Sequence, residues 1–213
     1  MGFGLTLDSG ADAGADITVA SLTGNGALTV RGSGGTTFTN GVAADTVTLT
    51  NTTGTVVFGG NTTISDIAVT GQGLVTASQG YGVSFLGLIN NVAGDTTFLN
   101  TGLITLGNGT DTITFAGGLD TTSGMNGTSI GGTVLTTDTQ MDLGAVTLTA
   151  TSELDSGTAA ASIINVGAVA GMGFGLTLDS GADAGADITV ASLTGNGALT
   201  VRGSGGTTFT NGV

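Results

Sequence analysis

The first 42 residues, MGFGLTLDSGADAGADITVASLTGNGALTVRGSGGTTFTNGV, recur at 172–213 without a substitution. One 171-residue period separates the copies, and repetition at a fixed period constrains architecture more than any other sequence signal. Met1 returns as Met172 in mid-chain, so it reads as a residue of the repeat and not as an initiator. The second copy stops where the first runs on into Ala43-Ala44-Asp45, so both ends read as cuts through a longer array. On this reading residues 1–171 are one full repeat, and 172–213 are the start of the next in the same continuous structure.

A shorter period lies inside the repeat. Segments of about 20 residues begin near Ala15, Gly35, Thr55, Leu74, Asp95, Thr112, Thr133 and Thr158. Coils of this length fall in the range of one turn of a β-solenoid, and eight of them fill one repeat. Each segment holds two short β-branched runs about ten residues apart: 17–19 with 27–30, 36–38 with 46–49, and 56–58 with 67–69. Apolar residues alternate with hydroxyls in these runs, the two-residue period of a strand with one buried face. Gly, Asn, Asp and Ser fill the intervals as turn formers. The spacing of Phe38, Phe58 and Phe98 predicts an aromatic ladder with Ser78 at the intervening level, and Asn40, Asn61 and Asn100 an asparagine ladder beside it. At about 4.8 Å per coil the repeat would be roughly 38 Å tall.

Composition then removes whole classes of function. The 213 residues contain no His, Cys, Pro or Trp, and Arg31 and Arg202 are the only cations against 15 acidic residues, for a net charge of −13. With so little positive charge, nucleic acid and anionic lipid are not expected partners. Without His, Cys or Lys there is no Ser-His-Asp triad, no Cys-His pair and no Schiff-base lysine, so no enzyme is expected. The uncharged run 159–178 has the length of a membrane span, but its glycines and polar residues and the lack of flanking cations argue against insertion.

Two motifs point to ligands. The segment 106–114, LGNGTDTIT, resembles the calcium-binding nonapeptide GGxGxDxUx, with Gly107, Gly109, Asp111 and Ile113 in place. The string DSGADAGAD puts Asp8, Asp12 and Asp16 in one glycine-rich stretch, repeated as Asp179, Asp183 and Asp187. Three carboxylates with backbone carbonyls are a plausible ligand count for Ca²⁺, the one cofactor the sequence suggests. The alternative is a solvated acidic turn that discourages strand-edge pairing. Thr-x-Thr triplets at 46–50, 110–114 and 147–151 raise an ice-binding array, although 67–70 and 83–86 interrupt its register.

Segments such as TTFTNG, TITFAGGLDTT and GAVTLTATSELDSG resemble the repetitive stalks of large bacterial surface proteins of the filamentous-haemagglutinin-like and autotransporter-type adhesins. The resemblance is one of composition and rhythm over the whole chain. It implies a right-handed parallel β-helix, export to the bacterial cell surface, and a role as fibre or adhesin. The resulting expectation is an all-β, uncapped solenoid that continues between 171-residue repeats. It would serve as a secreted structural filament whose partner is itself, end to end and through lateral bundling. The alternative is an adhesin stalk whose binding domain lies elsewhere; a calcium-binding module and an ice-binding solenoid are lesser ones.

Overall fold

The structure, a computed structural model, describes residues 2–24, 26–66, 71–195 and 197–213. The expected strand at 67–69 lies outside the described residues. Among them every regular element is a strand and there is no helix, so 159–178 does not form a membrane-spanning helix. That run is divided between a corner, the strand Ile164–Ala170 and the start of the strand Leu176–Asp179.

Among the described residues every pair of strands is parallel, with one isolated antiparallel bridge between Gln72 and Gly94, and the ladders resolve into three faces, here called A, B and C. Face A starts with Leu5–Asp8 under Leu28–Gly32, Val47–Leu49 and Leu74–Thr76. Face B starts with Asp16–Val19 under Gly35–Phe38, Thr55–Phe58 and Gly82–Phe85. Face C starts at Leu22 under Val42–Ala44, Thr62–Ile64 and Ile89–Val92. The chain visits A, B and C in that order and then climbs one level. About nine turns result, near 43 Å of solenoid at the spacing of paired strands. The third face corrects the expectation of two strands per coil. Its lower strands, Val42–Ala44 and Thr62–Ile64, are three residues long and sit inside segments that read as turns.

Above the fourth turn the faces merge. Ile104–Phe115 and Thr128–Thr136 run through the B–C corner, and Ile164–Ala170 and Asp187–Thr194 through the A–B corner. Pairing on face A lapses between Leu74–Thr76 and Thr96–Thr97. There the Thr76 hydroxyl stands in, accepting from the Leu99 N–H at 2.7 Å.

Alternation within each strand decides the core. Leu28, Val30, Val47 and Leu49 point inward from face A, and Val56, Phe58, Val83 and Phe85 from face B, all fully buried. Burial of this kind is the main stabilising term. Phe38, Phe58 and Phe85 stack with ring centroids 5.4 and 4.7 Å apart and planes within 12°. The expected ladder therefore holds for its first two rungs and fails at the third. The turn from Val56 to its partner Val83 is longer than the one from Thr36 to Val56, so Phe85 takes the rung and Ser78 falls in a corner. Phe98 lies off the column and meets Phe115 edge-on at 6.0 Å. The asparagine ladder does not form: Gly60 and then Gly87 stack over Asn40, the Asn61 carboxamide accepts from the Ile89 N–H, and Asn100 donates to the Tyr81 carbonyl.

Tyr81 fills the inside of the same long turn. Its hydroxyl donates to the Leu49 carbonyl at 3.0 Å and accepts from the Ala77 N–H at 2.8 Å. Burial pushes the phenol up from 10 to about 12. A raised folded-state value means that the fold favours the neutral form. This stabilisation is complete below pH 10 and is lost as pH rises from 10 toward 12. A shift of this size corresponds to about 3 kcal/mol. The chain has no His, Cys or Lys, and Tyr81 is its single tyrosine. Urea denaturation should therefore give constant stability from pH 6 to 10 and a decline above it. Tyr81→Phe should abolish the decline, and a decline that survives in that variant would show another cause.

Candidate assembly surfaces

The duplicated segment folds the same way twice. In the first copy Leu5, Thr6 and Leu7 pair with Leu28, Thr29 and Val30, and a bulge sets Asp8 against Gly32. In the second, Leu176, Thr177 and Leu178 pair with Leu199, Thr200 and Val201, and the same bulge sets Asp179 against Gly203. The loops also match. Ser9 Oγ donates to the Ala15 carbonyl at 2.5 Å and Ser180 Oγ to that of Ala186 at 2.7 Å. A third loop of this kind follows Leu154, where Ser156 Oγ donates to the Ser162 carbonyl at 2.9 Å. It lies one rung below the second copy, with Leu154 and Asp155 paired to Leu178 and Asp179. The recurrence of LDSG at 154–157 is a cue to this junction that the two periods alone do not reveal.

The two copies occupy different faces. Leu5 opens face A, whereas Leu176 stands on face C of the eighth turn. The repeat thus spans seven and two-thirds turns. The reason is local: the step between rungs is short from Thr128 to Val146 and much longer from Thr62 to Asn90, as corner loops absorb insertions. The parallel ladders nevertheless continue from 171 into 172 without a break. Ile164–Ala170 supports Asp187–Thr194, and Ser152–Asp155 supports Leu176–Asp179.

Covering changes exposure as stacking demands. Leu5, at the bottom edge, is 37% exposed, and Leu176, its equivalent on a supporting turn, is 2% exposed. Conversely Val30, beneath the third turn, is fully buried, whereas Val201 at the top edge is 40% exposed. Unpaired strand edges at both ends are templates for further pairing.

The arginines report the same difference. Arg31 reaches one carboxylate, Asp8, at 2.6 Å. Arg202 gathers three, contacting Asp179 and lying 2.6 Å from Glu153 and 3.4 Å from Asp155. It thereby relieves the repulsion of Asp155 stacked beneath Asp179. Asp179 first, and then Glu153, raise the Arg202 pKa. The Arg31 guanidinium, helped by the Gly10 N–H, holds the Asp8 carboxyl below its ordinary value. The N–H groups of Thr158 and Ala159 do the same for Asp138.

The candidate calcium ligands have other commitments. Asp8 serves Arg31 and Gly10, Asp179 serves Arg202 and Gly181, and buried Asp111 accepts from the Asn108 N–H at 2.9 Å. Asp12, Asp16, Asp183 and Asp187 are exposed, Asp12 and Asp183 in the loops and Asp16 and Asp187 at the starts of the strands that follow. Among the described residues no group of three or more carboxylates converges to hold a metal ion. Sequence reasoning does not single out a shallow groove of about 270 Å³ on face A, lined by Asp95, Asp120 and Asp142. There the Gln140 amide donates to both Asp142 oxygens and the Asn165 amide to one of them. The threonine triplets do not continue vertically. Thr6, Thr29 and Thr48 stack, but Val75 follows, and Thr147 lies between Ser129 and Ala170.

Compared with known proteins, the chain matches no family model, no curated protein and no solved structure.

Proposed function

We propose that this chain is a repeat segment of an extracellular bacterial filament that gains length by stacking β-coils end on end. The observation that carries the reading is the duplicated segment. One sequence takes one register at two heights, with the same Leu-Thr-Leu pairing and the same bulge, while the exposure of its apolar residues and the partners of its arginine change. A unit with such tolerance at its boundary can be repeated without redesign, and solenoid stability is a sum of neighbour contacts that grows with repeat number. The resemblance to bacterial surface stalks supports the location outside the cell. The acidic surface suits a long rod that must stay soluble.

The test uses the chain itself. Rods seen by electron microscopy should lengthen with protein concentration in steps of one chain, about 43 Å, at unchanged width. Leu7→Asp combined with Val201→Asp puts charge on the two end surfaces and should hold the particles at single-chain length. Particles of constant length in the unmodified protein would refute self-stacking.

A further inference from the structure

Charge is divided unequally among the sides of the rod. The C–A corner carries Asp45, Asp66, Asp95, Asp138 and Asp183 at successive heights. Faces A and C carry Asp120, Asp142, Glu153, Asp155 and Asp179. Face B differs. Its lowest strand opens with the exposed Asp16, and Asp12 lies in the corner before it; from Gly35 upward the only charged residue on that face or in its flanking corners, among the described residues, is the buried Asp111. Above that strand its outward column runs Thr37, Val57, Ser84, Thr105, Ser129, Thr147, Ala170 and Thr194, all small or β-branched, with Ser84 buried.

A second observation marks the same side. Between the lowest and highest turns, six of the eight exposed large apolar residues, among the described residues, lie in the two corners that border face B, the others being Val75 on face A and Ile89 on face C. Leu99, Leu103 and Met125 lie along one corner, at 44%, 46% and 85% exposure, and Leu88, Met172 and Phe174 along the other. A flat uncharged strip rimmed by exposed apolar side chains is the signature of a contact surface.

We propose that face B is the side-to-side contact of this rod with a second copy of itself. Charge selects that occupant: two chains of net charge −13 can meet along this face above Asp16 without setting carboxylates against carboxylates. The strip is about 34 Å tall and about 20 Å wide with its corners, on the order of 700 Å², near the roughly 800 Å² per partner of a stable interface. The phase of the repeat adds a consequence. Since Leu5 stands on face A and Leu176 on face C, features of face B in one repeat pass to face A in the next. An array would thus offer the contact on each of its three sides in turn and join three neighbours, giving a network and not a pair. This contact uses the side of the rod and is independent of end-to-end growth.

X-ray scattering and sedimentation of the 213-residue chain test it. The cross-section should thicken toward that of two rods as concentration rises. Thr37→Asp, Thr105→Asp and Thr147→Asp together should weaken this association about tenfold or more. The same three charges at Thr48, Thr63 and Thr114, on faces A and C, should change it less than about threefold. Should the first variant lose its strand circular dichroism, Leu103→Ser with Met125→Ser and Met172→Ser tests the same side without touching the interior. A single-rod cross-section at all concentrations, or equal weakening by both sets of charges, overturns the proposal. Thickening without lengthening would uphold it while refuting end-to-end stacking, and lengthening without thickening would do the reverse.

Discussion

Replacing Phe58 with alanine is expected to destabilise the protein by about 4 kcal/mol, the range of large-to-small changes at fully buried aromatic positions. Phe58 is the middle member of the Phe38–Phe58–Phe85 column and stacks on both neighbours. Each such pair contributes about 0.5 to 1.5 kcal/mol beyond burial. The rung cannot collapse to fill the void, because backbone hydrogen bonds on face B hold Val56 and Phe58 in register with the turns below and above. Stability in a solenoid is shared between adjacent turns, so the loss should appear as earlier unfolding of the whole lower half. Urea denaturation followed by circular dichroism measures it. Phe174, partly exposed in a corner, provides the contrast, and its replacement by alanine should cost less than about 1 kcal/mol. A loss below about 1 kcal/mol at Phe58 would mean that the column is not the core of the rod.

How much of this was legible in the sequence differs between features. The solenoid itself was, because a two-residue alternation broken by turn formers every ten or so residues admits few other folds. Phe58 over Phe38 was legible because the two strands pair in register, Thr36 with Val56, at the ordinary coil length that the sequence displays. Phe85 was not, since the next turn is lengthened by the corner that houses Tyr81, and nothing in composition tells a long corner from a strand and a turn. The third face was hidden for the related reason that three-residue strands such as Val42–Ala44 carry too few alternations to stand out. Missing that face concealed the phase of the repeat. The acidic loop shows a different limit. Asp8, Asp12 and Asp16 are close in sequence, yet the partner of Asp8 is Arg31, which reaches it from the rung above. Only the register of the ladder reveals that pairing.

Gly132→Ala is expected to be about as damaging as the loss of Phe58, at about 3 to 5 kcal/mol, for a backbone reason. Gly132 turns the strand Thr128–Thr136 through the B–C corner with φ at +116°, a conformation that side chains disfavour. A Cβ there would also lie 2.4 Å from the Asp111 carbonyl oxygen and 2.9 Å from its nitrogen. Both atoms belong to the rung below and can shift only if the ladder slips. Strain and clash therefore act together, and the cost should appear in urea denaturation with strand content retained at low denaturant. Gly80, which has no neighbouring atom within 4 Å of where a methyl would stand, should accept alanine at less than about 1 kcal/mol. Equal effects at the two sites would mean that the corner does not pack against the turn beneath it.

The central claim is that the 171-residue repeat continues one solenoid and advances it by seven and two-thirds turns. A chain of three tandem repeats, with Thr105 and its equivalents replaced by cysteine and labelled with gold clusters, tests this most directly by cryo-electron microscopy. The account predicts a single rod with strand spacing near 4.8 Å and labels about 37 Å apart along the axis. Each label should be turned by one face, a third of a revolution, from the one before. Labels in a straight line, or three separate globules, would contradict it.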